Sequence, residues 1–276
     1  MSEPTLFPEG GFLRLKIKLA YDGTNFSGWA KQPERRTVQE EFEKAFATIV
    51  RDQCDSIVAG RTDAGVHATA QVIHIDVPES TDLSDLAYRL NRLLDTDIRV
   101  LEIDVAPEGF HARFSALRRH YKYQIVDANK AINPLDRYDR ASWYRPLDVD
   151  RMNEASSLLL GEHDFAAFCK FREGATTIRT LETFQWERKA DGLLVAHVVA
   201  DAFCYSMVRN LVGSAVCVAE GRFEPSWIAE MLANRQRISD SMVFPPEGLT
   251  LVQVDYPNSA ELIARAALTI SRRNEE

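Results

Sequence analysis

The chain has 276 residues, 45% of them hydrophobic and 27% charged, with a formal net charge of −8. That length holds one large domain or two modest ones with a real core, and the acidic balance speaks against a general polyanion binder, so any nucleic-acid contact needs cations gathered locally. No apolar run is long enough to cross a bilayer, and Met1 to Gly11 lacks the charged-then-apolar order of a secretion signal, so a soluble cytoplasmic protein is expected. Cys54, Cys169, Cys204 and Cys217 form no C-x-x-C pair and no zinc-ligand spacing with histidine. They read as buried free thiols of a reducing compartment.

Leu13 to Leu19 alternates apolar and cationic residues, the pattern of a half-buried strand. It runs into a loop, Tyr21-Asp22-Gly23-Thr24-Asn25-Phe26-Ser27-Gly28-Trp29, with two glycines and three aromatics. Thr37-Val38-Gln39-Glu40 is a capping box, and the helix behind it carries Val38, Phe42, Ala45, Phe46 and Ile49 on one face.

Next comes Gly60-Arg61-Thr62-Asp63-Ala64-Gly65-Val66-His67-Ala68, set between an apolar approach and the alternating strand Gln71 to Val77. In an extended backbone Arg61 and Asp63 point to one face, and a neighbouring cation favours an ionised carboxylate. An oriented carboxylate on a glycine floor is a candidate nucleophile or base. The same residues are also compatible with a hairpin bearing a surface Arg–Asp pair.

Asp82 and Asp85 open a second helix with a leucine stripe, and Ile98 to Ile103 is a further strand, giving β-α-β-β-α-β. The second half repeats that order. A strand spans Ala116 to Val126; a helix runs from about Asp148 to Gly161; strands follow at Ile178 to Glu187 and Leu193 to Val199. A helix covers Phe203 to Ala219, Pro225 opens a short one, and Leu249 to Tyr256 is the last strand. Gly161 to Phe165 is read as helix termination and packing. A capped helix from Asn258 with a frayed end closes the chain. The expected segments are a flexible terminus at 1–11, a first half at 12–109, a second at 110–257 and a helical tail at 258–276.

Two stretches of the second half carry unusual charge. Phe110 to Tyr123 holds four Arg or Lys, two His, four aromatics and no acid. That mixture suits phosphate neutralisation with base stacking, and equally a solvated strand face over core aromatics. In Ala202 to Ala219, Arg209 is the only charge. An arginine on so apolar a helix calls for an ionic partner, unless it snorkels to solvent.

Four of these motifs, in order across most of Leu13 to Pro257, resemble the TruA-type tRNA pseudouridine synthases. The first is Tyr21-Asp22-Gly23-Thr24 through Gly28-Trp29; here Ala30 stands where the family usually has glutamine, and Gln32 matches. The second is the Asp63 stretch. The third is Phe110-His111-Ala112-Arg113-Phe114-Ser115-Ala116 with Tyr121-Lys122-Tyr123, where His120 replaces a commonly basic residue. The fourth is Met207-Val208-Arg209-Asn210. The closing strand resembles the family's, which lends apolar floor residues.

The resemblance implies an α+β fold in which two β-α-β-β-α-β halves form a central, mostly antiparallel sheet flanked by helices, with an active cleft between the halves. It implies a homodimer isomerising uridine to pseudouridine on the 3′ side of the tRNA anticodon stem-loop (positions 38–40). Asp63 would be the nucleophile, Arg209 its ionic partner, and Tyr121 the residue against the uracil. Arg61 would fill the gap left by the flipped nucleotide. Arg113, Arg118, Arg119, Lys122 and His67, together with Tyr121, are the expected substrate contacts. No metal and no other cofactor is expected. Two other readings stay open. A metal-dependent hydrolase would use Asp63, His67 and His74, although Arg61 would repel a cation and the spacing fits no standard site. A non-catalytic RNA-binding module would use the basic strand and leave Arg209 unexplained.

Overall fold

The computed structural model describes residues 6–8, 10–53, 55–170, 176–235 and 242–275, with side chains to 271. Cys54 and most of the expected flexible N-terminus lie outside the described residues. The chain forms two compact units. Unit 1 is Met1–Leu117 with Val252–Glu276, and unit 2 is Arg118–Leu251.

In unit 1, β1 (Phe12–Tyr21) buries Leu15, Ile17 and Leu19, the period-two face visible in the sequence. It pairs antiparallel with β3 (His67–Pro78) on one side and with β4 (Ile98–Val105) on the other. A two-residue β2 (Ile57–Val58) adds to β3. Helix α1 (Val38–Val50) starts where expected: Thr37 Oγ1 accepts from the Glu40 N–H at 3.4 Å. Helix α2 (Leu86–Leu93) turns Leu86 and Leu90 inward. Asp85 precedes it in a left-handed conformation and gives no side-chain cap, whereas Asp82 accepts from the Ser84 N–H at 2.9 Å. The order β-α-β-β-α-β is as expected.

In unit 2 the strand order is β5 (Arg118–Val126), β9 (Leu194–Ala200), β8 (Ile178–Arg188), β7 (Gly161–Asp164), all antiparallel. A short β6 (Ala141–Ser142) runs parallel to β5. Helices α3 (Val149–Ser157), α4 (Met207–Ala219) and α5 (Ser226–Asn234) complete it. The expected helix end at Gly161 is corrected: α3 stops at Ser157, and Gly161, at φ +104°, opens β7. The start of α4 is corrected as well. Ser206 is left-handed (φ +61°), so Phe203 to Ser206 is a connector and the helix begins at Met207. The last strand, β10 (Leu249–Asp255), begins in unit 2 and ends in unit 1.

The unit limits fall at 117/118 and 251/252, where the sequence reading sets them at 109/110 and 257/258. The reason is apolar packing. Phe110 and Ala112 bury themselves with Ala59, Val72 and Leu262, against Tyr256 and Val254. Leu262 is the first residue of α6 (Leu262–Glu275), so the tail helix belongs to the core of unit 1.

The cysteine expectation needs a larger correction. Cys169 and Cys204 form a disulfide, with Cα atoms 5.8 Å apart. They are 35 residues apart in sequence, so no local motif announced the pair. Cys217 keeps its thiol, buried in α4.

Candidate active-site elements

The Asp63 loop of unit 1 has almost no regular structure, yet nearly every residue of it is bonded in place. The Ala59 N–H donates to Val72 O at 2.9 Å, Gln71 Nε2 to Gly60 O at 2.8 Å, and the Trp29 N–H to Thr62 O at 3.1 Å. The Gly65 N–H donates to Phe26 O at 3.3 Å, and the Val66 N–H closes a turn on Asp63 O at 3.2 Å. Thr62 points inward, with its hydroxyl 2.8 Å from Tyr21 Oη. Arg61 is exposed and Asp63 half-buried, the shared outward face that an extended backbone predicts.

The aromatic-glycine loop between β1 and α1 is the cradle for this segment. Gly28 has φ +94°, and a Cβ there would lie 2.9 Å from Thr62 O and 3.2 Å from the Asp63 carbonyl carbon. A Cβ on Gly23 would overlap the Val66 carbonyl oxygen. Both glycines let two backbones touch. His67 is buried; its Nδ1 accepts from the Gly23 N–H at 2.9 Å and lies 3.2 Å from Asp22 Oδ1. The Gln32 amide donates to Ser27 O at 2.8 Å, inside the same loop.

Phe110–Ala116, also in unit 1, is a buried turn with one exposed side chain, Arg113. His111 Nδ1 accepts from the N–H groups of Arg113 (3.2 Å) and Phe114 (3.1 Å), as a capping side chain does. His74 Nδ1 accepts from the Ala112 N–H at 3.0 Å, and the two imidazoles stand edge to face at 4.6 Å. Burial, then the charges of Arg14 and His111, push His74 down to about 2. Burial, then Arg14 and Arg113, push His111 down to about 4. Arg14 itself holds Asp76 through two bonds, at 2.7 and 2.8 Å, and donates to Phe110 O at 2.9 Å.

In unit 2 the basic strand divides by the strand period. Arg119, Tyr121, Tyr123 and Ile125 are buried on one face of β5, while Arg118, His120 and Lys122 are more open on the other. Tyr121 meets Phe203 edge to face at 5.1 Å. Arg119 Nη1 donates to Asp201 O at 2.6 Å, and Arg118 pairs with Glu182 at 2.5 Å. In α4 every residue except Arg209 is buried. Arg209 is half-buried; its Nε donates to Phe244 O at 2.8 Å, and the Phe244 N–H returns to Arg209 O at 3.0 Å. Beside it Tyr123 donates to Pro245 O at 2.5 Å, and burial raises its pKa well above the ordinary phenol value.

Residues 18–115 and 155–257 match the sequence profile of the family described as tRNA pseudouridine synthase. The chain belongs to that family. It is therefore an enzyme, an isomerase acting on tRNA. Among its relatives, the tRNA pseudouridine synthase A of Frankia casuarinae is 52% identical over 260 residues, covering 94% of this chain and 95% of the relative. That of Streptomyces griseus is 52% identical over 266 residues, covering 94% and 93%. That of Mycobacterium leprae is 45% identical over 276 residues, covering 95% and 96%.

The motif glycines Gly23 and Gly28 both abut the Asp63 loop, so close backbone approach accounts for them, together with the positive φ of Gly28. Sequence reasoning missed Tyr21, Gln71 and His111 as supports of these elements. The available signals were a glutamine between the apolar Ala70 and Val72 of β3 and a serine four residues after His111. The donors of the alternative hydrolase are engaged elsewhere: His67 on Gly23 and His74 on Ala112. Among the described residues no three His, Cys, Asp or Glu side chains converge as a metal-holding group. Among them, too, no helix is long and apolar enough to cross a membrane.

Proposed function

We propose that this synthase isomerises uridines on the 3′ side of the tRNA anticodon stem-loop, with Asp63 as the nucleophile. The observation that carries the reading is the Asp63 loop. Its backbone is bonded at Gly60, Thr62, Gly65 and Val66, while Arg61 and Asp63 face outward. A nucleophile held in this way loses little freedom on reaching the reaction geometry. The likeness to curated tRNA pseudouridine synthases A along nearly the whole chain supports the substrate.

In this reading the target uridine leaves the base stack, with Arg61 taking up the space it vacates. The Asp63 carboxylate attacks either ribose C1′ or uracil C6. The N1–C1′ bond breaks, the base turns, C5 bonds to C1′, and the C5 hydrogen leaves as a proton. Tyr121 packs against the uracil and helps remove that proton. Arg209 is the ionic partner of Asp63, since a half-buried guanidinium on an apolar helix calls for an anion. Arg113, Arg118 and Lys122 contact RNA phosphates. Arg119 contributes on the Tyr121 side of β5, and His67 supports the loop from within. The enzyme acts as a cytoplasmic homodimer without a metal or other cofactor.

The test is tritium release from tRNA labelled at uridine C5. With Asp63→Asn, release falls to background while tRNA binding stays within roughly tenfold, about 1.4 kcal/mol. Release by a folded Asp63→Asn protein at near wild-type rate overturns the reading. Pseudouridine mapping in the treated tRNA identifies the positions.

A further inference from the structure

We infer that Tyr21 and Gln71 are positioning residues for the reaction. Their side chains form one buried hydrogen-bonded chain, from Gly60 O through Gln71 and Tyr21 to Thr62, that sets the backbone around Arg61 and hence the direction of Asp63. The inference rests on the reading of Asp63 as nucleophile and adds the device that aims it.

The donors and acceptors fix the Gln71 amide. Gln71 Nε2 has two hydrogens, one on Gly60 O at 2.8 Å and one on Tyr21 Oη at 3.1 Å. Its Oε1 accepts from the Val72 N–H at 3.2 Å. Turning the amide over would set oxygen against the Gly60 carbonyl, so the orientation is fixed by the network. Tyr21 Oη thus accepts from Gln71 and shares a hydrogen bond with Thr62 Oγ1, 2.8 Å away, in which either hydroxyl can donate. Burial pushes the Tyr21 phenol up to about 12, against the smaller effects of Thr62 and Gln71, so the protonated form holds throughout the working pH range.

The chain is wholly inside the protein: Gln71 is 0% exposed, Tyr21 4% and Thr62 6%. A glutamine in the run Ala70 to Val77 costs burial energy that an apolar residue would avoid. Strand pairing does not require its amide hydrogens, for the β1–β3 ladder is made by backbone groups; one hydrogen goes to the loop at Gly60 and the other to Tyr21, whose hydroxyl meets the loop at Thr62. The result is a loop gripped on either side of Arg61. Gly60 is held by Gln71, and Thr62 by Tyr21 through its side chain and by the Trp29 N–H through its carbonyl. Asp63 is the next residue. Misplacing a reacting group by about 1 Å costs on the order of 100-fold in rate.

The experiment measures kcat and KM for tRNA by tritium release, with thermal melting of each full-length variant, for Tyr21→Phe, Thr62→Val, Thr62→Ser and Asp63→Asn. Tyr21→Phe keeps the ring against Phe26 and Trp29 and removes only the hydroxyl. The expected result is a kcat about ten- to a hundredfold lower in Tyr21→Phe and in Thr62→Val, with KM within about twofold. Thr62→Ser, which keeps the hydroxyl, stays near wild type. The Tyr21→Phe/Thr62→Val pair loses no more than the worse single change, because both cut one chain. A wild-type kcat for Tyr21→Phe beside an inactive Asp63→Asn overturns the positioning role and leaves the nucleophile standing. So does a rise in KM alone, or equal rates for Thr62→Val and Thr62→Ser. An active Asp63→Asn overturns the nucleophile and the positioning role together.

Discussion

The Asp63 loop presents Asp63 beside Arg61, helix α4 presents Arg209 alone, and the two elements hold their charges by different means. The loop carries Asp63 on irregular backbone and fixes it with directional bonds to Phe26, Trp29, Tyr21 and Gln71. Helix α4 carries Arg209 on regular backbone whose other residues are all buried, so contact on every side fixes it. Hydrogen bonds lose strength steeply with misalignment, whereas close packing resists any change of volume. The loop should therefore be sensitive to single polar atoms and the helix to single methyl groups. Glycine marks the tightest point of both: Gly23 under the Val66 carbonyl and Gly213 under the Met242 carbonyl.

The largest effect that would break this contrast concerns those glycines. A Cβ at residue 213 would overlap the Met242 carbonyl oxygen, a backbone atom with no rotamer to escape into. Gly213→Ala is therefore expected to destabilise the protein by about 1–3 kcal/mol by urea denaturation. That sign opposes helix propensity, which alone favours alanine by about 1 kcal/mol. Gly23→Ala should cost turnover first, because the displaced backbone is that of the Asp63 loop. A Gly213→Ala protein as stable as wild type would show that α4 is loosely held.

A second test concerns the polar side of the contrast, in the His111 turn of unit 1. His74 and His111 have folded pKa values lowered to about 2 and about 4. The unfolded chain takes up protons at these groups near pH 6.5, where the folded chain does not. Stability is therefore full above that pH and falls as the pH drops from about 6.5 toward 4, by on the order of 2 kcal/mol per histidine at pH 5. Asparagine can accept the same two N–H bonds without titrating. His111→Asn should thus shrink the loss of urea midpoint between pH 7 and pH 5, and an unchanged loss would remove His111 as its source.

The smallest effect concerns the arginine. Arg209→Lys keeps the charge but loses the Nε–H that reaches Phe244 O and the planar fork suited to a carboxylate. Tritium release should fall about tenfold, equivalent to about 1.4 kcal/mol. Full activity in the lysine variant would leave the point charge as all that matters there.

Much of the fold was legible in the sequence because it rests on local signals. The Thr37 cap, the alternation in β1 and the leucine stripe of α2 each act within a few residues, and they yielded the element order. The errors have contact-range causes. Ser206 takes a left-handed conformation that its type does not announce, and so delays α4. Gly161 reads as a helix end but opens a strand, because Leu181 lies across from it. Tyr21 and Thr62 are 41 residues apart, and the two disulfide cysteines 35. Of the candidate site, the charged residues stood out against apolar or glycine-rich surroundings. The burial of Arg119 did not, since the basic run has no visible break where the strand face changes.

The passage of β10 from one unit into the other bears on the order in which a ribosome delivers this protein. Unit 2 ends at Leu251, so its whole length is made as one uninterrupted piece. Unit 1 starts first and finishes last. Its cluster of Ala59, Val72, Phe110 and Ala112 lacks Val254, Tyr256 and Leu262 until the final segment emerges. Domains tend to fold as they leave the ribosome, from the N-terminus onward. Here the segment carrying Asp63 is made early and must wait, its apolar floor open, while the later-made unit completes itself. A nascent chain stalled before residue 252 would therefore hold the Asp63 segment beside an unfinished apolar cluster.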